Sequence, residues 1–205
     1  MKTIAILSQK GGAGKTTLAL HLAVASEQDG KIAVILDLDP QASATLWKDS
    51  RQDEKPAVIS LQPSRLENVL NTARKEGAER VFIDTAPHSE SASLAAARVA
   101  DLILIPCRPA ILDLRAIRHT IDLARIAQKP VFVVLNSVSH RGALAQDAQE
   151  AVESYQVAIT PVLLGQRAAF VNALTLGKVA QEYDPKGKAS EEIQQLYIWM
   201  NKQIG

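Results

Sequence analysis

Short runs of aliphatic and β-branched residues alternate along the chain with stretches whose apolar positions recur every three or four residues. The runs predict strands at 3–7, 32–37, 81–84, 102–105, 131–136 and 157–160, with a weaker one at 57–61. Most are continuously apolar rather than alternating, as parallel strands covered on both faces require. The intervening segments predict helices at 15–29, 41–49, 64–76, 90–99, 113–128 and 143–154. From Arg167 onward the pattern reads as two helices flanking the turn Tyr183-Asp184-Pro185-Lys186-Gly187. Strands joined through helices imply right-handed crossovers. The expected fold is therefore α/β, a doubly wound, mainly parallel sheet with helices on both faces. No repeat or linker interrupts it, only a polar stretch at 48–55, so residues 1–205 are expected to form one domain.

Composition excludes several alternatives. With 47% hydrophobic and 22% charged residues, the chain is neither disordered nor fibrous. A net charge of +1 gives no bulk attraction to nucleic acid or membrane, so any such contact needs a local patch. Cys107 stands alone and cannot form an internal disulfide. No apolar run approaches the ~20 residues that span a bilayer. With no leader-like segment either, a reducing cytoplasm is the expected compartment.

Ligands of open parallel sheets bind where strands give way to loops. After the first run comes Gln9-Lys10-Gly11-Gly12-Ala13-Gly14-Lys15-Thr16-Thr17, opening a helix. Glycines let consecutive N–H groups turn inward around a phosphate, and the helix N-terminus points at the same anion. Lys15 is then placed to reach the β- and γ-phosphates, and the Thr16 hydroxyl to ligate Mg²⁺. Gly11, Gly12, Ala13 and Gly14 would supply the cradle, and Thr17 would lie beside the α-phosphate.

Two further strand ends carry carboxylates. Asp37-Leu38-Asp39-Pro40-Gln41 follows the second strand, where paired carboxylates at i and i+2 can orient water or metal. Val81-Phe82-Ile83-Asp84-Thr85-Ala86-Pro87 is an apolar strand ending in Asp, the arrangement that holds Mg²⁺, usually through a water. His88 reads as a loop residue.

The phosphate loop departs from the common Gly-x₄-Gly-Lys-[Ser/Thr] form. Gln9 occupies the first glycine position, and Lys10 precedes the glycine pair. This is the deviant Walker A motif, and with it the chain resembles the ParA/MinD family of P-loop ATPases. The resemblance extends through Asp37-Leu38-Asp39-Pro40-Gln41, Asp84-Thr85-Ala86-Pro87 and the tail around 166–193. It implies ATP and Mg²⁺ as ligands, with Lys10 reaching across a dimer interface to the partner's nucleotide. By the same resemblance Asp39 polarises the attacking water, Asp37 supports the Mg²⁺ shell and Asp84 holds the metal. Asn136 would read adenine, with Pro161 lining the other side of the ring; a loop-capping role for Asn136 fits the residues almost as well. The guanine-reading Asn-Lys-x-Asp is absent, since Ser137-Val138-Ser139 follows Asn136.

Eight residues precede the first strand's loop, leaving no room for an N-terminal DNA-reading domain, so the short ParA type is the expected match. It implies an ATP-dependent homodimer, non-specific DNA binding at the nucleoid, a small centromere-binding ParB-type partner, and partner-stimulated slow hydrolysis that drives plasmid or chromosome partition. The alternatives are positioning of another cargo, a MinD-like membrane switch, and a small-molecule ligase of the same fold. One cysteine excludes a cluster-bridged iron-protein dimer, and scattered tyrosines argue against a tyrosine autokinase. The terminal stripe Ile193, Leu196, Tyr197, Met200 and Ile204 has only Lys202 near it, so core packing is favoured over a membrane. Between 108 and 141, six basic residues (Arg108, Arg115, Arg118, Arg125, Lys129 and Arg141) face two acidic ones. Arg115, Arg118, Arg125 and Lys129 are expected on one helical face as a phosphate-contacting strip, although a solvated surface face fits as well. Arg167 and Lys178 form a second candidate DNA patch, carried by the resemblance.

Overall fold

The computed structural model describes residues 1–139 and 144–205. The apolar runs become seven strands: β1 (Lys2–Ile6), β2 (Ala33–Asp37), β3 (Ala57–Ser60), β4 (Arg80–Asp84), β5 (Leu102–Cys107), β6 (Val131–Leu135) and β7 (Ala158–Ile159). All pair in parallel, in the order β3-β2-β4-β1-β5-β6-β7. The register sets Asp37 of β2 opposite Asp84 of β4, and Asp84 opposite Ile6 of β1. Three strands thus end level with one another, and the loops that follow them share one rim.

The connecting helices are α1 (Lys15–Gln28), α2 (Ser43–Ser50), α3 (Leu66–Lys75), α4 (Glu90–Val99), α5 (Ile111–Ala127), α6 (Leu144–Glu153), α7 (Ala168–Thr175), α8 (Ala180–Tyr183) and α9 (Lys188–Ile204). One face of the sheet packs against α3, α4, α5 and α6 through residues such as Leu70, Ala96, Ile117 and Val152. The other packs against α1, α2 and the C-terminal helices through Leu22, Trp47, Phe170 and Leu196. Residues 18–26 of α1 are all buried, because α8 and α9 cover the side of α1 that faces away from the sheet. A helix enclosed all round needs no polar stripe. Ile193, Leu196, Tyr197, Met200 and Ile204 of α9 are buried in that same layer, each worth roughly 1.5–3 kcal/mol of apolar transfer.

The structure corrects several expectations. Three helices, not two, follow Arg167, because the chain turns at Gly177 (φ +66°), where an added Cβ would lie 2.3 Å from the Ser50 carbonyl oxygen. The expected helix at 64–76 opens as a short 3-10 turn, Pro63–Arg65. Ile32 precedes β2 and is exposed, while β7 shrinks to two residues. Finally, α5 stops at Ala127 with Gln128 in a left-handed cap, so Lys129 does not lie on its face.

Candidate functional site

The loop between β1 and α1 turns through positive φ at Gly12 (+72°) and Gly14 (+98°), where a β-carbon is disfavoured. Lys15 opens α1 and is buried; its ammonium donates to the Lys10 carbonyl oxygen at 3.3 Å. Burial lowers its pKa, and the nearby charges of Asp84 and Asp39 oppose that shift. The Thr16 hydroxyl donates to Asp84 Oδ2 at 2.6 Å, joining the loop to the end of β4.

Asp84 is wholly buried, and among the described residues its Oδ1 has no hydrogen-bond partner. Burial pushes its pKa up to about 7, helped by Asp37 and opposed by the Thr16 bond and by Lys15. A buried carboxylate with a spare oxygen beside a hydroxyl fits a divalent cation. Among the described residues no three His, Cys, Asp or Glu side chains form a metal cage. That suits Mg²⁺, which keeps its waters and takes few protein ligands alongside phosphate oxygens. Thr16 and Asp84 are the residues that would hold it, and the ion would supply charge for a triphosphate.

Asp37 is equally buried, but both its oxygens are engaged: Oδ1 accepts from the Asp39 N–H at 3.0 Å and Oδ2 from the Ala44 N–H at 3.2 Å. Burial raises its pKa against those bonds. Asp37 thereby pins the Asp39 loop and the first turn of α2. Asp39 is half-exposed; its Oδ1 accepts from the Gln41 N–H at 2.9 Å and its carbonyl from the Ala42 N–H at 2.8 Å. Lys10 is half-buried at the loop's outer end, and among the described residues it forms no ion pair.

Asn136, just beyond β6, donates from Nδ2 to the Ala13 carbonyl oxygen at 2.9 Å, so it touches the phosphate loop itself. Pro161 is exposed on the loop after β7, and His88 is exposed at φ +55°. Arg115, Arg118 and Arg125 lie on the exposed side of α5. Arg125 is partly occupied, pairing with Asp122 at 3.5 Å and donating to the Tyr155 carbonyl. Arg167 is engaged with Glu192 at 2.5 Å, which docks it to α9, whereas Lys178 is exposed. Arg141 lies outside the described residues.

Sequence reasoning passed over the residues that tie the C-terminal helices to the site. The buried His21 imidazole faces the Thr17 carbonyl through Nδ1 (2.6 Å) and accepts from the Ala180 N–H at Nε2 (3.0 Å). Nδ1 therefore carries the proton. Arg51, at the end of α2, makes two bonds to Glu182 (2.7 and 2.5 Å) and lies 4.9 Å from the Trp47 ring centroid. Trp47 in turn donates to the Lys178 carbonyl at 3.1 Å. Nothing in the sequence around His21 or Arg51 signals Ala180 or Glu182 as their partners.

A parallel sheet with a glycine loop, an invading lysine and a hydroxyl–carboxylate pair defines a P-loop nucleotide-binding protein. Residues 4–178 match the CobQ/CobB/MinD/ParA nucleotide binding domain model, and the chain belongs to this family. It is 29% identical to the Maintenance of carboxysome distribution protein A of Halothiobacillus neapolitanus, over 95% of this chain and 94% of that one. The Chromosome partitioning protein ParA of Myxococcus xanthus is 25% identical over 93% of this chain and 84% of its own length. Among solved structures, the septum site-determining protein MinD of Pyrococcus horikoshii with Mg-ADP superposes at a TM-score of 0.77, with 19% identity, covering 100% of this chain and 97% of that one.

Proposed function

We propose that the chain is an ATP- and Mg²⁺-dependent dimer switch that distributes an intracellular cargo. The observation that carries this is the pairing of two lysines on one loop. Lys15 is buried against the Lys10 carbonyl, while the Lys10 side chain stays half-buried and, among the described residues, pairs with no carboxylate. A cation held at the rim of a phosphate site is available to the phosphates of a second, facing copy. Lys15 and the loop amides would neutralise the bound triphosphate, Thr16 and Asp84 would hold the ion, and Asp39 would orient the attacking water. The γ-phosphate then supplies the contacts that separate the paired state from the single one.

The full-length likeness to a carboxysome-distribution protein supports a cargo other than a replicon. The likeness to a chromosome-partitioning ParA supports the second reading, partition of DNA with a ParB-type partner. In both, the ATP-bound dimer holds non-specific DNA through surfaces such as Arg115, Arg118 and Lys178, and a partner speeds hydrolysis. Sizing chromatography with and without ATP tests the switch. Wild type should move to twice the monomer mass with ATP; Lys15→Ala should lose nucleotide binding; Lys10→Ala should keep binding yet stay monomeric. A wild-type monomer under both conditions would sink the proposal. Turnover measured with and without non-specific DNA separates a switch from a metabolic ligase, whose rate DNA would not change.

A further inference from the structure

Asn136 stands 123 residues from the loop in sequence, yet its side chain is wired into it. Its backbone N–H donates to the Cys107 carbonyl at 2.8 Å, fixing it to the end of β5. Its Oδ1 accepts from the Ser137 N–H at 2.8 Å, with Ser137 at φ +55°. These bonds set which way the amide faces: Oδ1 toward Ser137, Nδ2 toward the Ala13 carbonyl. The amide also fills the space beside Gly14, where a β-carbon would lie 2.2 Å from Nδ2. Gly14 is thus required by its φ of +98° and by the amide packed against it.

The peptide that Asn136 grips directly precedes Gly14 and Lys15, whose N–H groups must face the anion. Holding the Ala13 carbonyl outward holds the Gly14 N–H of the same planar trans peptide on the opposite side, toward the inside of the loop. We propose that Asn136 is a positioning residue that preforms the phosphate loop, independently of any contact with a base. This rests on the nucleotide-binding reading above. The bond reaches from the end of β6 past one strand, β5, to the loop after β1, so it ties the loop to the sheet before ligand arrives. Preorganisation of this kind favours binding by removing the ordering that the ligand would otherwise have to impose.

The test uses a ligand with no base. Asn136→Ser keeps an oxygen able to accept from the Ser137 N–H and removes the donor to Ala13; Asn136→Ala removes both. Inhibition constants for ATP and for inorganic tripolyphosphate, each with Mg²⁺, are measured by displacement of a fluorescent ATP analogue. Circular dichroism confirms folding, and the serine variant carries the test should the alanine variant fail to fold. Loss of one net hydrogen bond predicts a weakening of about tenfold, equal for both ligands. Weakening of ATP alone, with tripolyphosphate unchanged, would make Asn136 a base reader only and overturn the inference. A wild-type loop that takes ATP but not tripolyphosphate is not preformed and overturns it too. A wild type that binds neither instead refutes the nucleotide-binding reading.

Discussion

Asp84 and His21 are both buried to 0% exposure, and burial drives each toward its neutral form, with pKa values of about 7 and about 4. They differ in what surrounds them. Both ring nitrogens of His21 are engaged, so it is a structural group; among the described residues Asp84 keeps one oxygen without a partner, which marks a place for a ligand. His21 carries a pH prediction. Its folded pKa lies below the ordinary 6.5, so between these values the unfolded chain binds more protons. Stability therefore rises with pH across that window and is lost as pH falls from about 6.5 to about 4, by roughly 3 kcal/mol. Urea unfolding at several pH values checks this. His21→Gln should be less stable at pH 7 but should show a flatter acid limb; an unchanged limb would assign the loss to other groups.

Elements meet the site through their ends. Helix α2 follows the Asp39 loop, is capped by Asp37, and is clamped to the C-terminal helices by Arg51 and Glu182, whose side chains are 5% and 19% exposed. Burial works to raise the Glu182 pKa, but the Arg51 bonds and the Val179 N–H hold it below the usual carboxylate range. Arg51→Ala leaves that largely buried charge with no cation and only the Val179 N–H, and should destabilise the fold by about 3–5 kcal/mol, read from the urea midpoint. Arg51→Ala with Glu182→Gln should recover part of the loss. The strands, their parallel class and the loop, Asp39 and Asp84 positions were legible in the sequence because each depends on a short local pattern. The clamp was not, since Arg51 and Glu182 are 131 residues apart and His21 and Ala180 are 159 apart. The strip on α5 was half legible: periodicity placed Arg115, Arg118 and Arg125 on one side, but a left-handed cap at Gln128 ended the helix before Lys129. The third C-terminal helix was hidden for a similar reason, a turn at Gly177 dictated by the neighbouring Ser50 carbonyl.

Across the whole molecule the two faces are unequal. The face with α3, α4, α5 and α6 carries one layer of helices, whereas the other carries α1 with α8 and α9 stacked outside it. Amide hydrogen exchange should follow this: the N–H groups of residues 19–26 in α1 should be among the slowest, and those of 39–44 far faster. Equal protection in the two segments would contradict it. The enclosure of α1 has a mechanical consequence. The end of that helix that faces the triphosphate behaves as a fixed anvil, braced by the sheet beneath and by a second tier of helices above. Helix α2, held by Asp37 at its first turn and by the Arg51–Glu182 pair at its end, leans on the same upper tier, so the two helices beside the phosphate loop share one support.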